Sequence, residues 1–180
     1  MLRALCILTP FALSAQIGLT PGWDVQKSID GLMAQARRMA AMVDEIKAAS
    51  WIEKGAPEAY AEQAKSVKVE VQYLTRATSE LVKNPDRMGV ALDTYLHLQT
   101  IETLLESLSE GVRKYQNPAL ADLIEGMVAE NENHRARLRD YLRELVANKE
   151  VELKVMNEEA QRCRGFLIRQ PPPAPPVKKK

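Results

Sequence analysis

The sequence is poor in the residue types that metal and haem sites need. Among 180 residues there are two histidines and two cysteines, and aromatic residues make up 5%. His97 and His134 lack the Glu-x-x-His spacing of di-iron bundles, because Thr94 and Asn131 stand three residues before them. Neither histidine has a second histidine or a cysteine close by in the sequence for zinc. We therefore predict neither a metal site nor a bound cofactor.

Catalytic signatures are missing as well. The chain has no Gly-x-Ser-x-Gly elbow, no His-Glu-x-x-His pair and no glycine-rich phosphate loop. Serines and carboxylates are plentiful, but nothing in the sequence brings a base beside a nucleophile. These absences predict a protein that is not an enzyme.

The N-terminus has the layout of a secretory signal peptide. Arg3 supplies one positive charge, residues 4–15 are nearly all apolar, and small residues follow at Ser14 and Ala15. A retained membrane anchor is the alternative, but it needs about 20 apolar residues to cross the bilayer, and this run is shorter and contains Pro10. We expect residues 1–15 to be cleaved after Ser14 or Ala15, and the protein to be exported, either periplasmic or secreted.

Cysteine content then bears on how the fold is held together. Cleavage would remove Cys6 and leave Cys163 alone, so no internal disulfide could form in an oxidising compartment. The fold must be stabilised by packing. A mature chain of this length is enough for one core of ordinary size, and we predict one domain over residues 16–168.

The charge is unevenly distributed along the chain. The whole sequence carries 25 basic and 24 acidic residues, but all 24 acids and only 18 of the bases fall within residues 16–161, which gives that body a charge of 18 − 24 = −6. An acidic body with a basic C-terminus is unlike the basic footprint of a nucleic-acid-binding protein. We expect no nucleic-acid partner.

Helical periodicity dominates the body. Apolar residues step by three and four over four segments, which predicts amphipathic helices at roughly 24–54, 57–83, 86–116 and 118–167. The breaks between them contain Pro57, Pro85 and Pro118, and short connections force neighbouring helices to run antiparallel. The predicted fold is all-α, an up-down-up-down four-helix bundle.

The fourth predicted helix is longer than its partners. Residues beyond about 149 should extend past the end of the bundle, as an overhang with its own apolar stripe. This stripe needs a cover, which could be the mature N-terminal segment, another protein, a second copy of the chain or a membrane. A parallel homodimer would place Cys163 opposite Cys163 and allow a disulfide. The stripe consists of Leu153, Met156, Ala160, Cys163 and Leu167.

The C-terminus cannot be helical, since residues 171–176 hold five prolines. We predict a disordered Pro-rich basic tail over residues 169–180. It is either a solvated tail or a spacer that carries a basic grip for an anionic membrane surface. In the second case Phe166 would contribute apolar contact, and positive charge would come from Arg162, Arg164 and Arg169.

Polar residues interrupt the apolar stripe of the fourth helix at Asn131 and His134. A polar layer in a bundle usually fixes register, and counting through the turns suggests Glu102 as acceptor for the imidazole. An alternative is a small-ligand, metal or haem site formed by His134 with Met42 or Met39. The same counting puts Gly111 near Gly126, where two helices could approach closely.

Two functions from different classes remain. The first is a non-catalytic exported protein that binds or scaffolds a partner in the cell envelope through its bundle surface and the overhang. The second is a small-ligand, metal or haem-binding bundle that uses the polar layer around His134.

Overall fold

A computed structural model describes residues 22–169, with side chains described for residues 25–168. Its elements are α1 (Gly22–Asp44), a 3-10 helix (Ala48–Lys54), α2 (Ala59–Lys83), α3 (Met88–Tyr115) and α4 (Pro118–Arg169). Each long helix packs against its neighbours in sequence, and α1 and α4 close the ring. The predicted four-helix bundle is confirmed. The predicted signal peptide and residues 170–180 of the predicted tail lie outside the described residues.

The predicted stripes form the core. All six buried residues of α2 belong to the stripe read from the sequence, and the core positions of α3 do so at Leu98, Ile101, Leu105, Leu108 and Val112. Burial of these side chains provides most of the stabilisation, at about 25 cal/mol per Å² of apolar surface removed from water. The buried residues of α2 are Ala64, Val67, Val71, Leu74, Thr78 and Leu81.

The first predicted helix, residues 24–54, is not continuous. α1 ends at Asp44, the chain bends at residues 45–47, and a short 3-10 helix follows up to Gly55, whose φ of 83° ends it. No proline or glycine marks this break. The physical reason for the break is Trp51, which is fully buried at the end of the bundle where α1 ends and α2 begins. The Trp51 ring contacts Tyr60 and Tyr115, with ring centroids 5.8 and 6.2 Å away.

Proline and asparagine define the start of α4. Pro118 occupies its first position, where the missing N–H leaves no helical bond unmade. The side-chain oxygen of Asn117 accepts a hydrogen bond from the backbone N–H of Ala119 at 2.9 Å, as an N-terminal capping residue does. The helix then runs for 52 residues to Arg169, two residues beyond the predicted end.

The prediction that Gly111 lies near Gly126 is wrong. Gly111 is buried against aromatic rings, and a Cβ at this position would lie 2.8 Å from Trp51 and 2.9 Å from Tyr60. Gly126 is exposed, with nothing within 4 Å of where its Cβ would be. Gly111 therefore makes room for Trp51 and does not bring α3 close to α4.

Candidate functional site

A cleft of about 220 Å³ lies between α1 and α4 near the end of the bundle where α1 begins. α1 and α4 contact each other less extensively than the other three pairs of neighbouring helices do. The cleft has largely apolar walls formed by Val25, Ile29, Leu32, Leu138 and Tyr141, and its polar groups come from Ser28, His134, Arg137, Asp140 and Glu144.

His134 faces this cleft from α4. Its ring lies against α1, where a Cβ on Gly31 would be 3.6 Å from Cε1. Burial lowers the pKa of His134 below its ordinary value, and the Glu130 carboxylate, 3.9 Å from Nε2, only partly opposes this shift. The lowered pKa favours the neutral imidazole, which has one nitrogen that can donate and one that can accept a hydrogen bond.

The predicted pairing of His134 with Glu102 is wrong. Glu102 pairs with the next residue of α4, since Arg135 Nε lies 2.8 Å from Oε2 and Nη2 donates to Oε1 at 3.1 Å. Successive residues of a helix point about 100° apart. Arg135 therefore faces α3, where Glu102 lies, and His134 faces α1.

The polar layer extends from His134 toward the other end of the bundle. Gln35 is fully buried, and its Nε2 donates to the backbone oxygen of Met127 at 3.3 Å. Arg38 donates to Gln35 and also pairs with Glu130, which ties α1 to α4.

Asn131 is the second polar residue of the stripe. It is 1% exposed and donates to the backbone oxygen of Leu98 at 3.1 Å. Its Oδ1 has no hydrogen-bond partner within the described part of the chain. The Leu98 bond links α4 to α3, as a residue that helps to fix helix register would do.

The second residue of the hypothetical haem site lies elsewhere. His134 lies opposite Gly31, and Met39 and Met42 are 8 and 11 residues further along α1, which corresponds to about 12 and 16 Å. Neither methionine lines the cleft that His134 faces. Among residues 25–168 no group of three histidine, cysteine or acidic side chains is arranged to hold a metal ion.

The other histidine belongs to a different face. His97 Nδ1 lies 2.8 Å from Glu70 Oε2, and its ring stacks on Tyr73 with centroids 5.6 Å apart. These contacts join α3 to α2 on the outside of the bundle, away from the cleft between α1 and α4.

Sequence reasoning missed Arg137 as a component of the cleft, and it missed Gly31 and Gln35 as residues of α1 that contact α4. Arg137 is exposed and lies three residues after His134, so both point toward α1. That spacing could have indicated the role of Arg137 from the sequence. Nothing in the sequence indicated the roles of Gly31 and Gln35, because the rotation of α1 about its own axis is set by the packed bundle.

The overhang of α4 is a second candidate site. Leu145 is the last buried residue of the helix, Lys149 is half-buried, and every residue of 150–164 is exposed. Leu153, Met156 and Leu167 are 64%, 63% and 67% exposed. Cys163 is a free, exposed thiol. The predicted apolar stripe therefore has no cover among the described residues.

This uncovered stripe continues the core-facing side of α4. Met156 follows the buried Leu138 by 18 residues, and Cys163 follows Leu145 by the same number. At 3.6 residues per turn this spacing equals five full turns. The stripe therefore faces the space just beyond the end of the bundle where α1 begins, in line with the bundle core. This direction is called below the bundle.

Charge along the overhang changes sign halfway. Residues 150–159 carry four glutamates and one lysine, a net −3, and residues 160–169 carry three arginines and no acid, a net +3. Arg162, Arg164 and Phe166 are exposed, as contact with an anionic surface would require. The side chain of Arg169 lies outside the described set.

None of the helices in the described range combines the length and apolar character needed to cross a bilayer. Comparison of the chain with protein-family models, with curated proteins and with solved structures finds no match.

Proposed function

We propose that this is a non-catalytic, exported helical-bundle protein that binds or scaffolds a partner in the cell envelope through the overhang of α4. The observation that carries the proposal is the uncovered apolar stripe. Large apolar side chains that stay more than 60% exposed along one face of a helix are a feature of interaction surfaces rather than of monomer surfaces.

The N-terminal sequence supports the export part of the proposal. A basic residue, a short apolar run and small residues before Gln16 are typical of a cleaved secretory signal. Mass spectrometry of the protein from its source tests this directly. The expected mature N-terminus is Ala15 or Gln16, in the exported fraction, and an intact N-terminus in the cytoplasm would contradict export.

Site-specific photo-crosslinking in the native cells tests the binding surface. A photoreactive amino acid at Met156 lies on the stripe, whereas the same group at Glu158 is turned about 200° away on the helix. We expect a crosslinked adduct from position 156 and none from position 158. Equal adducts from both positions, or none from position 156 in a folded protein, would contradict the proposal.

A second candidate function rests on the cleft between α1 and α4. Its volume of about 220 Å³ and largely apolar walls suit a small amphipathic ligand. Arg137 and the neutral imidazole of His134 lie in the cleft wall together with Asp140, so either sign of head group has a partner.

Octanoate and octylamine distinguish these two head groups. We expect one of them to shift the NMR signals of Leu32 and Leu138, with the octanoate effect lost in Arg137→Ala and kept in the control Arg143→Ala. Arg143 is 74% exposed and does not line the cleft. Failure of both probes at millimolar concentration would remove the cleft as a site for ligands of this class.

A further inference from the structure

We infer that the overhang of α4 pairs, antiparallel, with the overhang of a second copy of this chain. The inference rests on the proposed function, because it names the partner of the same surface. It also replaces the parallel orientation expected from the sequence, in which Cys163 faces Cys163 of the second copy.

Direction follows from where the stripe faces. Met156 and Cys163 lie five turns below Leu138 and Leu145, so a helix covering them occupies the space under the bundle core. In a parallel pair that helix would continue upward into the volume already filled by α1, α2 and α3. In an antiparallel pair its bundle continues downward, away from the first. Two bundles then lie at opposite ends of the paired overhangs.

Register follows from the heptad spacing. Stripe residues 153, 156, 160, 163 and 167 step by three and four, the spacing of a coiled-coil seam. Full overlap places Leu153 opposite Cys163 of the second copy and Met156 opposite its Ala160. Moving the partner one heptad closer would push its Arg169 into the bundle, and moving it one heptad away would leave part of both stripes uncovered.

Charge complementarity points to the same direction. A parallel pair sets the −3 half of each overhang beside the −3 half of the other, and the +3 halves likewise. An antiparallel pair sets each acidic half beside a basic half. In the register above, Glu150 flanks the seam near Arg164 of the second copy, and symmetry repeats this attractive pair. Like charges at such positions would destabilise the dimer.

Disulfide trapping tests direction and register together. All variants carry Cys6→Ser, so that position 163 holds the only native thiol. Adding Leu153→Cys should give a dimer under mild oxidation that links position 153 to position 163 of the other copy. Within one helix these positions are about 15 Å apart, too far for a disulfide, so the link must be intermolecular. Non-reducing electrophoresis and mass spectrometry of the linked peptides read the result.

Two controls are matched to this variant. The protein with Cys163 alone, and the protein with Leu153→Cys and Cys163→Ser together, should stay unlinked, because in the antiparallel register no thiol of either variant faces a thiol of the second copy. A dimer linked through two copies of Cys163 would overturn the inference in favour of a parallel pair. A monomer by light scattering at 100 µM would overturn it altogether.

Charge exchange provides an independent measurement. Arg164→Glu should weaken dimerisation about tenfold, since two attractive contacts become repulsive. The double variant Glu150→Arg with Arg164→Glu should restore the original dissociation constant, as measured by sedimentation equilibrium. A double variant no tighter than Arg164→Glu would overturn the register.

Failure of this inference is distinguishable from failure of the proposed function. A monomeric protein whose position 156 crosslinks to a different protein keeps the proposed function and removes the homodimer. An adduct from position 156 to residues 16–21 of the same chain, which precede α1 at this end of the bundle, removes both. An adduct between two copies supports both.

Discussion

Trp51 donates its indole N–H to the side-chain oxygen of Gln116 across 3.1 Å. The same oxygen accepts the backbone N–H of Lys47 at 2.9 Å, and Gln116 Nε2 donates to the backbone oxygen of Glu45 at 2.7 Å. One amide therefore fixes both the bend after α1 and the tryptophan that follows it. This contact explains how a segment without proline or glycine can leave the helical path.

Replacing Gln116 with alanine should destabilise the bundle. The substitution leaves the indole N–H and two backbone groups without their partners, and losses of this kind cost about 1–3 kcal/mol. Urea unfolding followed by circular dichroism measures the change. Gln99→Ala is the control, since Gln99 is exposed on α3, the helix that Gln116 follows, and its effect should stay within about 0.5 kcal/mol. Equal stability of both variants would mean that Gln116 does not hold the bend.

Gly111→Ala should destabilise the protein, whereas Gly126→Ala should not. The new methyl group at position 111 would meet Trp51 and Tyr60 at less than 3 Å, and overpacking of this kind costs about 1–3 kcal/mol. Position 126 is open, so alanine there should stabilise the helix by about 0.5–1 kcal/mol. Thermal unfolding of the two variants should shift in opposite directions; a shift in the same direction would contradict the packing at Trp51.

Glu102→Gln should cost more than Glu62→Gln. Glu102 is 13% exposed and pairs with Arg135, and losing a hydrogen-bonded charged partner costs about 1.5–3 kcal/mol. Glu62 pairs with Lys65 at the surface, where both side chains are more than 70% exposed, and such pairs contribute about 0–1 kcal/mol. Chemical denaturation compares the two. A larger loss for Glu62→Gln would contradict the importance assigned to the Arg135 pair.

His134 should make stability fall on mild acidification. Because burial lowers the pKa of His134 in the folded protein, the unfolded chain binds a proton more readily. The contribution of neutral His134 is complete above the unfolded pKa of about 6.5 and is lost as pH falls from there toward the lowered folded pKa.

His134→Gln isolates this effect. We expect the unfolding free energy of the wild type, minus that of the variant, to decrease between about pH 7.5 and pH 5. Carboxylates titrate in both proteins, so they cancel in the difference. A difference that rises on acidification would mean that Glu130 dominates and that the folded pKa is raised.

Helix positions were predictable because their causes are local. The three proline-containing breaks and the stripes around Leu74, Leu105 and Ile124 depend on residues three and four apart, and those positions form the core. The bend after Asp44 was not predictable. Its cause is the contact of Trp51 with Tyr115 and Gln116, which are more than 60 residues away in the sequence.

The candidate site was predictable only in part. That His134 and Asn131 lie at core positions of α4 followed from spacing. Which neighbouring helix each faces depends on the rotation of α4, so the partner expected for His134 proved to be the partner of Arg135. Gly31 and Gln35 acquire their roles only when α1 is placed beside α4. The overhang was foreseen because its cause is a difference in helix length.

α4 is one continuous helix, but its two parts should differ in local stability. Its first part is held by the core, and opening it requires unfolding of the bundle. Among the described side chains, residues 150–168 have only helical propensity and a few local pairs such as Lys149 with Glu152, and an isolated helix of about 20 residues is marginal in water. Amide hydrogens should therefore exchange slowly up to about Leu145 and fast beyond it in the free chain. Whatever covers the overhang also sets its folding, so exchange protection there measures how fully the surface is occupied.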